Sequence, residues 1–189
     1  MKEIVTDIEK LRDTAIDQHG FVTTSQAEEV GVSRPSLTYL LKNGRLERPR
    51  RGIYRVPQIL ATQFDAMHLA LLWASEKTAV LSHDTALDAW DVCDVNPTKI
   101  YITVPKQRRI NKADGDNIVI YHQDLPKDQI TWWEQMPIVK LPLTIDQCIT
   151  RKMSSHLIMQ AIENGRKRGM LTEPEAASLI RAMEVRDGT

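Results

Sequence analysis

Aromatic side chains make up only 5% of this 189-residue sequence, and only two of its residues are cysteines. So little aromatic mass argues against an aromatic-rich β-sandwich and for aliphatic helix packing. Cys93 and Cys148 stand alone, without CxxC or Cys/His spacing. That argues against a disulfide framework or a zinc site and for two buried thiols in a reducing compartment. Neither sign of charge dominates, with 25 basic and 25 acidic residues. A wholly basic, histone-like surface is thereby excluded, whereas a local basic face is not, because nucleic acid responds to charge within a Debye length. No window approaches eighteen consecutive apolar residues, so no membrane-spanning helix is expected. Met1 runs into Lys2-Glu3 rather than into the apolar stretch of a secretory leader, and the expected location is the cytoplasm. No cofactor or metal motif is present, and none is expected to be bound.

The sequence does contain a regular amphipathic order. A hydrophobic fraction of 42% supports a core in one or two domains. Ile4, Ile8, Leu11 and Ala15 recur at helical spacing over residues 3–17, and His19-Gly20 ends the pattern. Phe21-Val22-Thr23 is a short apolar lead-in. Ser25-Gln26-Ala27-Glu28 then has the form of a capping box, in which hydroxyl and carboxylate satisfy each other's backbone donors; it predicts a short second helix closing at Val30-Gly31. Ser33 as N-cap and Pro35 in the first turn open a third helix, which Asn43-Gly44 closes.

Leu37, Leu40 and Leu41 share one face of that third helix. At 100° per residue, Pro35, Ser36, Tyr39, Lys42 and Asn43 point away from it, with Arg34 and Thr38 on the flanks. A polar, donor-rich helix after a tight turn is the form of a recognition helix presented to the DNA major groove. Leu46-Glu47-Arg48 and Ile53–Val56 read as two short strands around a Pro49-Arg50-Arg51-Gly52 tip, a wing. From residue 34 to 55, seven basic residues stand against Glu47 alone, a concentration suited to phosphate.

Residues 1–57 therefore read as a winged helix-turn-helix that binds double-stranded DNA. Ser33, Arg34, Ser36, Thr38, Tyr39 and Lys42 are the candidates for the major groove. Arg48, Arg50 and Arg51 are those for phosphate or minor groove, and Thr24 and Ser25 would offer backbone donors to a phosphate.

After Pro57 and a short polar stretch, residues 58–189 read as an α+β domain, which makes the whole chain α+β. Phe64, Met67, His68, Leu71 and Leu72 form a helical stripe, and Ser82 is the N-cap of a helix through Trp90. Ile100–Val104, Ile118–Tyr121 and Pro137–Leu141 read as strands. One further helix presents Leu157, Ile158, Ala161 and Ile162 before Gly165. A last one opens on Thr172-x-x-Glu175 with Ala176, Leu179, Ile180 and Met183 inward.

Three features of this half bear on chemistry. Ser82-His83-Asp84 are neighbours and cannot form a catalytic triad; capping or core support is the expected role. Asp114, Asp116, Asp124 and Asp128 would suit a metal-dependent nuclease only if they converged, and Asp114-Gly115-Asp116 reads more simply as a turn. Lys106, Arg108, Arg109 and Lys112 form a second basic patch after a strand. No enzymatic activity is expected. The alternatives are a ligand-responsive regulator with a pocket lined by Trp73, Trp90, Trp132 or Trp133, and a DNA-targeted nuclease.

The runs Phe21–Ala27 and Gly44–Val56 together resemble the N-terminal domain of AbiEi-type antitoxins, which belong to type IV toxin–antitoxin and abortive-infection systems. Leu81-Ser82-His83-Asp84-Thr85-Ala86-Leu87 resembles that family's SHxTAL segment. Ile100–Pro105 with Arg108-Arg109 resembles its IYxTxP strand and basic loop, and Pro142–Cys148 stands where a threonine-led helix starts, with Gln147-Cys148 departing from the pattern. The resemblance implies a two-domain repressor. It implies binding to inverted repeats upstream of its own operon, and neutralisation of a nucleotidyltransferase-type toxin without a stable complex being required.

Overall fold

The computed structural model of the chain describes residues 6–75, 77–110, 115 and 117–188. Contacts divide it into two compact units, Met1–Glu76 and Lys77–Thr189, and together they make an α+β protein with a helix-turn-helix first. The first unit runs past the wing and takes in the helix that follows.

That first unit comprises α1 (Asp7–Ala15), β1 (Phe21–Thr23), α2 (Thr24–Glu29), α3 (Arg34–Lys42), β2 (Glu47–Arg50), β3 (Ile53–Arg55) and α4 (Asp65–Ser75). The lead-in segment is a strand, because Phe21, Val22 and Thr23 pair antiparallel with Arg55, Tyr54 and Ile53. The sheet runs β1-β3-β2. This ladder also moves the start of the second helix. Thr23 is held extended, and the Thr24 amide donates to the Gly52 carbonyl at 2.9 Å, so the helix begins at Thr24. The capping box is therefore Thr23-x-x-Gln26, two residues earlier than the Ser25-x-x-Glu28 frame expected from sequence. Ser25 Oγ instead approaches Glu29 Oε1 at 3.5 Å.

The wing is also shorter than its sequence implied. Pro49 and Arg50 belong to β2, leaving Arg51-Gly52 as the turn, with Gly52 at φ +78°. Pro49 is tolerated because β2 is an edge strand whose register shifts between Glu47 and Arg50. Strand alternation then sorts the side chains. Val22 and Tyr54 join Leu11, Ala27, Val32, Leu37 and Leu40 in the core under the three helices. Phe21 and Arg55 point the other way, toward α4: Phe21 stacks on His68 at 6.2 Å, and Arg55 pairs with Asp65 at 3.3 Å. So the sheet lies between the helical trio and α4.

The second unit holds β4 (Val80–Leu81), α5 (His83–Ala89), β5 (Ile100–Val104), β6 (Ile118–His122), β7 (Ile130–Trp133), β8 (Met136–Val139), α6 (Leu141–Thr150), α7 (Ser155–Lys167) and α8 (Glu173–Asp187). Its mixed sheet has the order β6-β5-β4-β8-β7, with β5–β6 and β4–β8 parallel. The third expected strand ends at Val139, and Leu141 already opens α6, with Pro142 in its first turn. Helices α5 to α8 share one core, including Leu87, Ile145, Cys148, Ile158, Ile162 and Leu179. Gly165 lies inside α7 rather than ending it. A Cβ there would meet Leu171 Cδ1 at 2.9 Å and Leu141 Cδ2 at 3.0 Å, so glycine permits the close approach. The capping box Thr172-x-x-Glu175 forms as the sequence indicates.

Candidate nucleic-acid interface

Helix α3 is fixed by its caps and by one apolar face. Ser33 Oγ accepts the Ser36 amide at 3.3 Å, and Leu37 and Leu40 are buried. The exposed arc is Arg34, Pro35, Thr38, Tyr39 and Lys42. Tyr39 leaves 67% of its surface in solvent, a high figure for so large a side chain and one that an intramolecular role does not explain. Ser36 sits on the flank rather than in the arc; it is half-buried, its hydroxyl 3.1 Å from that of Ser33. Thr38 is exposed, and its hydroxyl donates to the Arg34 carbonyl at 3.0 Å, leaving its oxygen as an outward acceptor.

The seven cations of residues 34–55 separate into three groups. Arg34 donates to Glu28 at 2.7 Å, a pair with both side chains largely in water, which a phosphate can displace at little cost. This bond also raises the Arg34 pKa. Arg55 is internal, donating to Asp65 at 3.3 Å and to the Ile59 carbonyl at 3.2 Å. Arg50 turns to the α4 side of the sheet, its guanidinium 5.4 Å from the Trp73 ring centroid. Lys42, Arg45, Arg48 and Arg51 are exposed and have no hydrogen bond or ion pair to an acceptor among the described residues. Arg45 was not among the residues singled out from sequence. It lines a groove of about 430 Å³ with Thr6, Ser36 and Tyr39, and only its place in the charge count hinted at a role.

At the start of α2, both the amide and the hydroxyl of Thr24 are directed at Gly52 O, at 2.9 and 3.3 Å. Thr24 thus ties the wing turn to the helix, and its amide is already engaged; Ser25 is exposed. Residues 9–57 match the family described as "Transcriptional regulator, AbiEi antitoxin". The matched segment covers the helix-turn-helix and the wing, and stops short of α4. The whole chain is similar in fold to the crystal structure of the RV2827C protein from Mycobacterium tuberculosis. That similarity has a TM-score of 0.58 and 14% identity, and covers 98% of this chain and 76% of the other. No curated protein matches the chain.

The second half brings together a different set from those expected. Lys106, Arg108 and Arg109 are exposed after β5, with the Lys106 amide on Asp124 Oδ1 at 3.1 Å; Lys112 lies outside the described residues. Asp114 and Asp116 also lie outside them. Asp128 accepts from Gln129 Nε2 at 3.2 Å, and no group of three metal-ligating side chains occurs among the described residues. Trp90 donates its indole N–H to the Val139 carbonyl at 3.0 Å, while Trp132 stands 71% exposed on the edge strand β7.

Ser82 occupies the N-cap position of α5, but its hydroxyl does not cap. It lies 2.9 Å from His83 Nδ1 and 2.8 Å from Thr103 Oγ1. His83 is 4% exposed, adopts φ +51°, and stacks on Tyr121 with centroids 3.7 Å apart. Burial lowers its pKa to about 4, with Asp84 opposing and Arg151 adding to the shift, so the ring is neutral at pH 7. Asp84 takes a two-pronged bond from Arg151, through Nε at 2.9 Å and through Nη2, and that guanidinium lies 4.7 Å from the Tyr101 ring centroid.

Proposed function

We propose that this chain is a DNA-binding repressor of its own operon and the antitoxin of a nucleotidyltransferase-type toxin. Helix α3 lies in the major groove on this reading. Thr38, Tyr39 and Lys42 reach base edges, Arg34 exchanges Glu28 for a phosphate, and Arg48 and Arg51 hold the backbone beside the wing. Ser33, Ser36 and Thr24 act behind them, holding the helix start and the wing turn. Arg50 serves the wing through Trp73. The observation that carries the proposal is the sorting of charge: cations on the α4 side of the sheet are engaged within the protein, while Lys42, Arg48 and Arg51 face water. The antitoxin part of the reading is supported by the AbiEi match.

A gel-shift titration against DNA immediately upstream of the gene, at two salt concentrations and with scrambled competitor, tests the first part. Sequence-specific retardation through two shifted species is expected, since paired half-sites take two copies of the protein. Tyr39→Ala should lose about 1–3 kcal/mol of discrimination while leaving the salt dependence in place. Binding without preference for the upstream DNA would remove the autorepressor assignment. Growth rescue on co-expression with a nucleotidyltransferase-type toxin from the same operon tests the antitoxin assignment separately; an operon without one would remove it.

A further inference from the structure

The polar cluster around His83 has a direction, and hydrogen-bond accounting reveals it. The His83 backbone N–H donates to Gln147 Oε1 at 3.3 Å, which fixes the Gln147 amide. Gln147 Nε2 must then donate to Gln123 Oε1, at 3.2 Å, and so the NH₂ of Gln123 is left facing away from it. The hydroxyls of Ser82 and Thr103 are fully buried, and each needs an acceptor. A chain from Thr103 to Ser82 to His83 Nδ1 supplies both, so the ring proton sits on Nε2. Arg151 spends Nε and Nη2 on Asp84, leaving the two hydrogens of Nη1 without an acceptor among the described residues. His83 Nε2–H has none there either.

On Gln123, His83 and Arg151 the groups this network leaves over are therefore donors. Arg151 is the C-cap of α6, one turn on from Gln147, while Tyr121 lies near the end of β6 and Gln123 just beyond it. Tyr121 carries His83 on its ring, and Gln123 reaches Gln147. Tyr121 and Gln123 are half-buried, and a third of the Arg151 side chain is exposed, so the cluster opens to solvent. It also lies at the C-terminal end of the parallel pair β5–β6, the position at which open α/β sheets hold ligands. The exposed Lys106 and Arg109 leave β5 at this same end, and the Lys106 amide binds Asp124, next to Gln123. A purely structural clamp does not require unspent donors on Gln123, His83 and Arg151, nor a buried non-glycine residue in the left-handed region.

We propose that Gln123, Arg151 and His83 Nε2–H, with Tyr121 as a flat wall, form a binding site for a phosphate-type oxyanion. The anion is carried either by free phosphate or by a nucleotide. Lys106 and Arg109 supply the attracting field. The site is independent of the DNA interface on α3.

Histidine ¹⁵N spectra of the full chain at neutral pH test this, with inorganic phosphate and AMP as separate probes. His83 is expected as the Nε2–H tautomer, and its signal should shift saturably, with a millimolar midpoint for phosphate. Gln123→Ala should weaken that midpoint about ten-fold, the cost of one hydrogen bond to a charged acceptor, and should also lower the melting temperature, because Gln147 Nε2 loses its acceptor. Arg151→Lys, which keeps the charge but loses the fork, is expected to weaken it as well. Tighter binding of AMP than of phosphate identifies a nucleotide as the source; equal binding identifies the phosphate alone. The Nδ1–H tautomer, no saturable shift with either probe, or a shift unchanged in Gln123→Ala would each overturn the proposal.

Discussion

Arg50 and Arg51 are adjacent and look interchangeable, yet the structure separates their surroundings, and replacing each by glutamine tests whether their roles differ accordingly. Arg51 sits in the wing turn with no acceptor among the described residues, whereas Arg50 lies over Trp73. If Arg51 neutralises one phosphate, Arg51→Gln should lower the slope of log affinity against log salt by about 0.9. Between roughly 50 and 200 mM salt, a fourfold change, one such contact accounts for a factor of about 3.5 in affinity. The affinity should therefore fall at low salt and converge on the wild type as salt rises.

Arg50→Gln should do the reverse. Its guanidinium rests on a ring that is 4% exposed, a desolvated cation–π contact worth about 0.5–2 kcal/mol. In a unit of this size that amounts to a melting shift of about 4–8 °C per kcal/mol. The salt slope should stay at the wild-type value. Fluorescence anisotropy on labelled operator over a salt series, with thermal melts of the same samples, reads both quantities. Equal loss of slope in the two variants would refute the sorting of wing arginines by strand face, as would an unchanged slope in Arg51→Gln.

Three further outcomes follow from the second unit. Gly165→Ala gains about 1 kcal/mol of helix propensity but forces a methyl against Leu171 and Leu141, an overpacking cost of about 1–3 kcal/mol; no stabilisation should appear on denaturant unfolding. Removing either partner of the Asp84–Arg151 pair should be unequal. Arg151→Met strands a carboxylate that is only 8% exposed and should cost about 3–5 kcal/mol, whereas in Asp84→Asn the guanidinium can turn to water, and chemical denaturation should show a clearly smaller loss. His83 is depressed to about 4 in the folded chain from an ordinary value of 6.5, so its stabilising contribution is complete above pH 6.5 and is lost as pH falls toward 4. In His83→Asn, which tolerates the left-handed backbone, melting temperatures across that window should decline less steeply than in the wild type; parallel curves would remove His83 as the cause. His68, lowered to about 4 by burial and by neighbouring His19, remains in both proteins and supplies a shared decline.

What could be read from the sequence was local. The caps at Ser33 and Thr172, the turn glycines and the leucine face of α3 are set by neighbours within one helical turn, and they stand where the sequence places them. The start of α2 was misread because two capping frames, Thr23-x-x-Gln26 and Ser25-x-x-Glu28, overlap. Only the ladder of β1 with β3 decides between them. Of the β7–β8 hairpin, only β8 was expected, as the strand Pro137–Leu141; β7 and the turn were not. Its two-residue turn is Glu134-Gln135, with φ of +45° and +60°, in place of the Asn-Gly or Asp-Gly that ordinarily marks such a turn.

The network around His83 was hidden for a related reason. Ser82, His83 and Asp84 are consecutive, and a sequence reading asks first whether they can serve one another. Ser82 and His83 do bond, but each of the three is decided by a different distant partner: Ser82 by Thr103, the His83 amide by Gln147 and its ring by Tyr121, and Asp84 by Arg151. Gln147 is one of the two residues at which the α6 segment departs from the pattern it otherwise resembles, and its amide carries the hydrogen-bond direction from the α5 backbone to Gln123. The other, Cys148, is buried in the helical core, where burial raises its thiol pKa far from any reactive range. The departure thus combines a packing residue with a polar one, and the chemical difference lies in the glutamine. An apolar residue at position 147 would leave the His83 amide without its acceptor and the Gln123 amide free to turn over. The outward turn of the Gln123 amide therefore depends on that one side chain more than on the histidine it surrounds.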